Sequence, residues 1–467
     1  MAKAPKAPGI SQSIPLPYGA WGAFMRDPLG FQVEARQHYG DVFRFRVGPL
    51  VNHFVYHPDH VRWVLHEHQK NYLRGWHYGI LRRLFGDNLT VSEGAFWLRQ
   101  RRLAQPAFHR QRLPEYAKVM VEAASALVSR WRAIAADEKP IEVRGEMSRL
   151  TLAITSRTLF DRDASHEADE VGSAFRVMGQ YFERVFHHPV STPPRWVPTP
   201  ANRRFNHAVA TLNQVVANII RERRRDDTDR GDLLSMLVQA RDEETGAQMT
   251  NNQLRSEVLN FLLAGYETTS TALTWTWYLL ACHAPVQQRV REEIHTVIGD
   301  RLPTVTDAPH LHFTRAVIHE SLRLYPPVWA VPRRAVAEDQ IGGFRIPKGS
   351  TVVLCPYITH RHPEFWKSPE VFDPGRFTAD QIGGRPKGAY FPFLAGPHIC
   401  IGNDFAMLAM QLVVARVLQE FDVELRPGQA IRPTGSLGLW PNGPVWLSIT
   451  AQGRRIECDD CAHGFRA

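Results

Sequence analysis

Apolar residues recur at helical spacing along most of the chain and alternate strictly only in short stretches. The alternation over 42–47 and 52–56, broken by Gly48-Pro49, predicts a β-hairpin. A short helix is expected from about Pro58. Helical periodicity predicts a helix within 87–113 that begins near Ser92-Glu93-Gly94. Further helices are expected over 113–131 with Pro114 in the first turn, 147–160, 168–185 and 202–225. Pro189, Pro193, Pro194, Pro198 and Pro200 exclude a continuous helix between the last two and predict a long surface loop. The longest helical pattern covers 251–283, interrupted by Gly265, and Pro285 ends it or starts the next helix. A helix over 314–325 stops at Pro326-Pro327. Short strands are expected over 328–355, with turns at Gly342-Gly343 and Gly349. A helix over 403–421 precedes a last β-rich region with a turn at Asn442-Gly443. The inventory is mainly α with a small β lobe, without internal repeats.

Composition narrows this picture. A chain of 467 residues with 44% hydrophobic content can bury a large core. Length alone suggests about three domains, but no compositional break separates them. The expected organisation is a flexible N-terminal segment over 1–25, one domain over 26–452 and a tail over 453–467. No run of ~18 apolar residues is present, so no transmembrane anchor is expected. The first residues are rich in Pro and Ala and lack an apolar signal core. The net charge of +9 allows acidic partners, but nothing resembles a nucleic-acid module. Arginines cluster at 99, 101, 102, 110 and 112, and again at 221 and 223–225, the second group reading as a solvated helix face. Five cysteines do not make a disulfide framework. Cys282 and Cys355 sit in apolar runs and read as core. Cys458 and Cys461 with His463 offer three ligands where zinc wants four, and read as an exposed, unstructured tail.

Cys400 stands apart. It lies in Phe393-Leu394-Ala395-Gly396-Pro397-His398-Ile399-Cys400-Ile401-Gly402, a glycine-punctuated loop with little bulk. The helix that starts near Gly402-Asn403 points its positive end back at the sulfur and favours a thiolate. That is the setting for a cysteine bound to haem iron; the other reading of a lone cysteine is a buried structural thiol. A second constellation, Ala264-Gly265-Tyr266-Glu267-Thr268-Thr269, sits in the longest helix. Gly265 removes a side chain, which lets a flat cofactor or a small ligand approach, and an acid followed by a hydroxyl can relay protons. Glu320 and Arg323, three apart, share a helix face among Val317, Ile318, Leu322 and Leu324, which argues for a buried pair.

Phe-x-x-Gly-x-His-x-Cys-x-Gly around Cys400 resembles the haem-binding signature of the cytochrome P450 family. Glu320 and Arg323 resemble its Glu-x-x-Arg pair, with Arg376 matching the third member. The stretch at 264–269 resembles its oxygen-activating motif, and Trp97-Leu98-Arg99-Gln100-Arg101 its Trp-x-x-x-Arg helix. In order, these cover roughly residues 30 to 450. The resemblance implies the cytochrome P450 fold and haem b, with Cys400 as the iron ligand. It implies that Thr268 holds bound oxygen and that Glu267 belongs to the proton route. Trp97, Arg101, Arg333 and His398 become candidates for the haem propionates, although many members carry Arg where this chain has His398.

The expected reaction inserts one oxygen atom from O2 into an apolar small molecule. No reductase domain is visible, so electrons are expected from NAD(P)H through a ferredoxin or flavodoxin and its reductase. A basic face near Arg99, Arg102 and Arg110 would suit an acidic ferredoxin. The absence of an N-terminal hydrophobic helix suits a cytoplasmic, bacterial-type member. Substrate contacts are expected from 72–91, 180–200, 261–268, 328–331 and 436–440. Two alternatives stand beside this reading: a peroxide-driven peroxygenase or isomerase on the same fold, and a non-enzymatic haem- or zinc-binding protein.

Overall fold

A computed structural model describes residues 4–13, 19–162, 168–187, 192–225, 230, 232–239, 246 and 248–451. Its axis is the helix Asn251–Cys282. Thr250 opens it with a capping box: its hydroxyl accepts from the Gln253 N–H at 3.2 Å, and the Gln253 side chain accepts from the Thr250 N–H at 2.9 Å. These bonds satisfy donors that a helix start otherwise leaves orphaned. Apolar residues surround the helix, and it is buried on nearly every side.

The helix Val143–Phe160 packs along this central helix, and Thr151 donates its hydroxyl to the Tyr266 carbonyl at 3.1 Å. A Cβ on Gly265 would meet Thr155 Cγ2 at 2.8 Å and Oγ1 at 2.9 Å. Gly265, expected to make room for a cofactor, therefore makes room for a neighbouring helix. Leu113–Ala136, His312–Leu324 and Asn403–Leu418 complete the main apolar core. A second core forms where Ala168–His187 and Pro200–Arg225 cover the N-terminal half of the central helix.

The β lobe is built on a six-stranded sheet in the order Gly9–Gln12, Val42–Val47, Leu50–Val55, Thr351–Leu354, Val331–Ala335, Tyr72–Arg74. The predicted hairpin is present, with Val42 opposite Val55 and Arg44 opposite His53. At the other edge Arg74 lies directly opposite Arg333. Like charges across an antiparallel pair repel, so this pairing needs an anion nearby.

One buried ion pair ties these layers together. Arg323 Nε and Nη2 donate to the two Glu320 oxygens at 2.6 and 2.7 Å. Its remaining donors reach the carbonyls of His360 at 3.0 Å, Pro369 at 2.6 Å and Val371 at 3.1 Å. Arg376 approaches Glu320 at 3.4 Å, as its place in the motif implied. The fork thereby pins residues 360–376 to the helix His312–Leu324. His360 then accepts the Phe391 N–H at 2.9 Å, which carries the constraint to the start of the Cys400 loop.

Several elements differ from expectation. The limit drawn at residue 25 falls inside a helix, Gly19–Arg26, and Gly9–Gln12 adds to the large sheet. Trp21 and Phe24 bury against Phe45, which gives that helix its anchorage. The helix after Cys400 ends at Leu418, because Phe421 and Val423 alternate with polar residues and form a strand, Phe421–Leu425. Asn442-Gly443 connects strands of different sheets, whereas the tight hairpin closes at Ser436–Gly438, whose Ser436 N–H donates to the Gly438 carbonyl at 2.9 Å. The helices Trp76–Phe85 and Leu233–Gln239 were not anticipated. Cys458, Cys461 and His463 lie outside the described residues.

Because Thr155 is rigid at χ1, Gly265→Ala is expected to destabilise the fold by about 1–3 kcal/mol through overpacking. Adding Thr155→Ala, which removes the two nearest atoms, should recover most of that loss. Paired chemical denaturation curves check both.

Candidate functional site

The Cys400 loop is shaped by backbone needs. Gly396 adopts φ +68°, and a Cβ there would meet the Leu65 carbonyl oxygen at 2.0 Å. No other residue fits. The Cys400 N–H donates to the Phe393 carbonyl at 2.9 Å, closing the loop before Gly402 caps the helix Asn403–Leu418. Cys400 is densely surrounded by protein yet keeps accessible surface, so space is left open beside it. Burial raises the thiol pKa; the Gly402 N–H and the Arg101 charge oppose this without overcoming it. The expected thiolate-favouring groups are present, but burial outweighs them.

The central helix shows the same kind of opening. Ala264 and Thr268, four apart and on one face, are exposed in a helix whose other faces are covered. Thr268 donates its hydroxyl to the Ala264 carbonyl at 2.6 Å. Glu267 turns elsewhere. Burial raises its carboxyl pKa, while Arg144, Arg176 and a hydrogen bond to Tyr266 act in the opposite direction.

The four propionate candidates converge near the loop. The Trp97 and His398 rings lie 4.1 Å apart. Arg101 donates to the Ile399 carbonyl at 2.8 Å and to Gln105 at 3.1 Å. Arg333 donates one Nη1 to the Tyr78 hydroxyl at 3.1 Å and to the Pro332 carbonyl at 3.0 Å, which leaves its Nε and Nη2 without partners among the described residues. His398 Nε2 lies 3.4 Å from a Glu93 oxygen, and its buried Nδ1 has no partner. Burial lowers the His398 pKa, with Arg74 and Arg333 adding to the effect. Glu93 also accepts the Arg74 N–H at 2.8 Å. Burial works against its carboxylate, but His398 and Arg74 outweigh that and bring its pKa to about 2.

Sequence reasoning missed Glu93, Arg74, Tyr78, Arg144 and Arg176. Glu93 read only as part of a helix start, and the others are brought in by the fold without a local motif.

A family model described as Cytochrome P450 matches residues 18–446. The chain belongs to the cytochrome P450 family. It is 36% identical over 416 residues to cyclooctatin synthase of Streptomyces melanosporofaciens, covering 89% of each chain. It is 36% identical over 426 residues to cyclooctat-9-en-7-ol 5-monooxygenase of the same organism, covering 91% of this chain and 90% of that one. Pentalenene oxygenase of Streptomyces avermitilis is 33% identical over 448 residues, covering 96% and 97%. Among solved structures, the cytochrome P450DA heme domain superposes with a TM-score of 0.86 at 29% identity, covering 97% and 98%. A retinoic-acid-bound cyanobacterial P450 gives 0.85 at 25%, covering 96% and 100%.

The fold is that of the family, and the protein is an oxidoreductase of the monooxygenase type. The family implies haem. The residues present fit that group: a cysteine with open space beside it before a helix, and donors on Arg333 and Trp97 without partners among the described residues. The facing pair Arg74 and Arg333 adds positive charge where a carboxylate would be held. No helix among the described residues is long and apolar enough to cross a membrane.

Glu93 yields a pH prediction. Its folded pKa of about 2 lies below its ordinary 4.5, so its stabilising contribution is complete above 4.5 and is lost as pH falls toward 2. Glu93→Gln should lower the melting temperature at neutral pH by a constant amount. That difference should shrink as pH falls below 4.5, measured as paired melts across the range.

Proposed function

We propose that the protein is a haem-thiolate monooxygenase acting on an apolar, terpene-like small molecule, with Cys400 as the iron ligand. The observation that carries the assignment is Cys400, densely surrounded by protein yet with accessible surface, just before the helix Asn403–Leu418. Bound haem b supplies the activation of O2, with one oxygen atom entering a C–H or C=C bond and the other leaving as water. Trp97, Arg101, Arg333 and His398 are the residues that would hold its propionates. Arg333 is buried and Trp97 half-buried, and both have donors without partners among the described residues, which supports this role. His398 has only its Nδ1 to offer, since Glu93 faces Nε2.

Thr268 presents its hydroxyl on the cavity face of the central helix and is the group placed to deliver a proton there. Glu267, held between burial and the charges of Arg144 and Arg176, is suited to resupply it. The terpene-like substrate class rests on relatives named for oxygenating cyclooctat-9-en-7-ol and pentalenene.

Electrons would come from NAD(P)H through a ferredoxin or flavodoxin and its reductase, in the cytoplasm. Arg102 and Arg110 are exposed, and Arg110 stands 3.1 Å from Asp404 in the first turn of the helix that follows Cys400. An acidic partner docked there would approach the thiolate side of the site.

The reduced, carbon-monoxide-bound protein should show the long-wavelength Soret band of a thiolate-ligated haem, and Cys400→Ala should abolish it. A folded, haem-loaded wild type without that band would overturn the assignment. Thr268→Ala should leave the band intact while diverting electrons from product to peroxide, measured as product formed per NAD(P)H consumed. The double variant Arg102→Glu, Arg110→Glu should raise the KM for an acidic ferredoxin about tenfold and flatten its salt dependence. Unchanged reduction kinetics would remove this face from electron transfer.

A further inference from the structure

Trp440 has no use in the site described so far. It stands on the strand Leu439–Pro441, opposite Thr434 of Pro433–Gly435. This hairpin is fixed from outside. The Leu439 carbonyl accepts from the Trp275 indole at 2.8 Å, and the Ser436 carbonyl from the Trp329 indole at 2.7 Å. The Leu439 N–H donates to the Pro327 carbonyl at 3.0 Å. The Trp440 indole N–H, by contrast, is buried without a hydrogen-bond partner. An unpaired buried donor is costly, and it leaves the ring to be oriented by its other contacts. One is the Arg144 guanidinium, 5.0 Å from the ring centroid. Another is Gly179, where an added Cβ would stand 3.4 Å from Cη2 of the ring.

Arg144 lies in the first turn of the helix Val143–Phe160. The N-cap carboxylate of Glu142 is occupied by the N–H groups of Arg144 and Gly145, at 3.2 and 2.7 Å. The guanidinium itself has no hydrogen bond or ion pair among the described residues, and the Trp440 ring is its neighbour. A ring face orients a cation without neutralising it, so the charge remains free to act elsewhere. The surrounding packing says where. The Tyr266 hydroxyl shares a hydrogen bond with Ser148, and a Cβ on Gly172 would meet that hydroxyl at 3.1 Å. Arg144 is four residues from Ser148, and Arg176 four from Gly172, so each stands one turn away on the same face of its own helix. Gly179, which touches Trp440, is three residues beyond Arg176. The two arginines thus flank residues 266–267 from two helices, and Trp440 reaches both helices. Arg144, Arg176 and Tyr266 are the groups that act on the Glu267 carboxyl, all against the effect of its burial.

We propose that Trp440 is a positioning residue for proton supply: its ring holds the Arg144 guanidinium, still charged, toward Glu267. This deepens the monooxygenase reading, in which Glu267 resupplies Thr268, and it rests on that reading. A carboxylate partner would hold Arg144 equally well but would cancel its charge at Glu267. With the ring in place, burial favours the protonated carboxyl and the arginine favours the ionised one, so the group can both take and give a proton. Without the ring, the long guanidinium side chain turns to water and its charge is screened. Burial then prevails and leaves a weaker acid, which is a slower donor. Water admitted by a lost ring would act the other way, since it relieves burial. The direction of the change therefore separates positioning from packing.

The test is an infrared pH titration of the ferric holoenzyme, with the Glu267 carboxyl band assigned by its loss in Glu267→Gln. Trp440→Leu should move the midpoint of that band to higher pH, and Arg144→Gln should do the same. The double variant should move it no further than Arg144→Gln alone, because both changes act through one charge. Trp440→Phe, which keeps an aromatic face, should titrate close to wild type. Site-specific fluorination of the Trp440 ring keeps its shape but weakens its negative face. It should also raise the midpoint, and it carries the test where Trp440→Leu does not fold. A midpoint that stays or falls in Trp440→Leu or in the fluorinated protein overturns the positioning role. So does an Arg144→Gln protein that titrates like wild type. These titrations read Glu267 whether or not it delivers protons. The route itself is read by the solvent isotope effect on NAD(P)H consumption, which Glu267→Gln should change. An unchanged isotope effect would remove Glu267 from the route while the raised midpoint of Trp440→Leu still placed Arg144 under the control of the ring.

Discussion

The structure depends on one buried guanidinium. Arg323 is fully buried, as is Glu320, and a charge pair in that position is tolerable only when every donor and acceptor is used. Arg323 uses its planar fork on Glu320 and spends its remaining donors on three backbone carbonyls from residues 360–371. Glu320 in turn accepts the Asp373 N–H at 2.9 Å. A lysine could not do this, because a point charge cannot hold five acceptors in one plane. The consequence reaches the chemistry. The same segment supplies His360, which fixes Phe391, and the Cys400 loop starts from there. Hydrogen bonding from a charge thus adds direction to the apolar packing of Phe391, Leu394 and Ala395 that also holds the loop.

The central helix solves a second problem by dividing its faces. One side must approach another helix closely, and Gly265 permits that contact with Thr155. The opposite side must stay open, and Ala264 supplies the small residue there while Thr268 supplies the hydroxyl. Adjacent residues therefore serve different ends, because about 100° separates them around the helix. Glu267 and Thr268 are split the same way. The acid feels the charges of Arg144 and Arg176, while the Thr268 hydroxyl bonds the Ala264 carbonyl on the exposed face.

What the sequence made legible follows from how local each signal is. The hairpin over 42–47 and the long helix were readable because period and turn chemistry lie in consecutive residues. Cys400, Glu320, Arg323 and Arg376 were readable because their motifs are short and their spacing is fixed. Gly265 was located correctly but given the wrong neighbour, since a glycine announces a close approach without saying to what. Glu93 was unreadable for a different reason. Its partners His398 and Arg74 come from a loop and an edge strand far away in sequence, and no periodicity encodes that meeting.

The Cys400 thiol shows how these constraints converge. A helix N-terminus and an arginine were expected to make a thiolate, and both act in that direction, yet burial keeps the pKa above its ordinary value. The protein alone therefore disfavours the thiolate at this sulfur. An enclosed sulfur of this kind gives up its proton when a metal cation takes its place, because coordination replaces the lost solvation. The same burial that disfavours the free thiolate protects the coordinated one from water and from competing acids. A loop richer in donors would stabilise the anion without a metal, but it would also draw electron density away from the ligand. The sparse donor set, one N–H from Gly402 and the charge of Arg101, would leave that density on the sulfur of the proposed ligand.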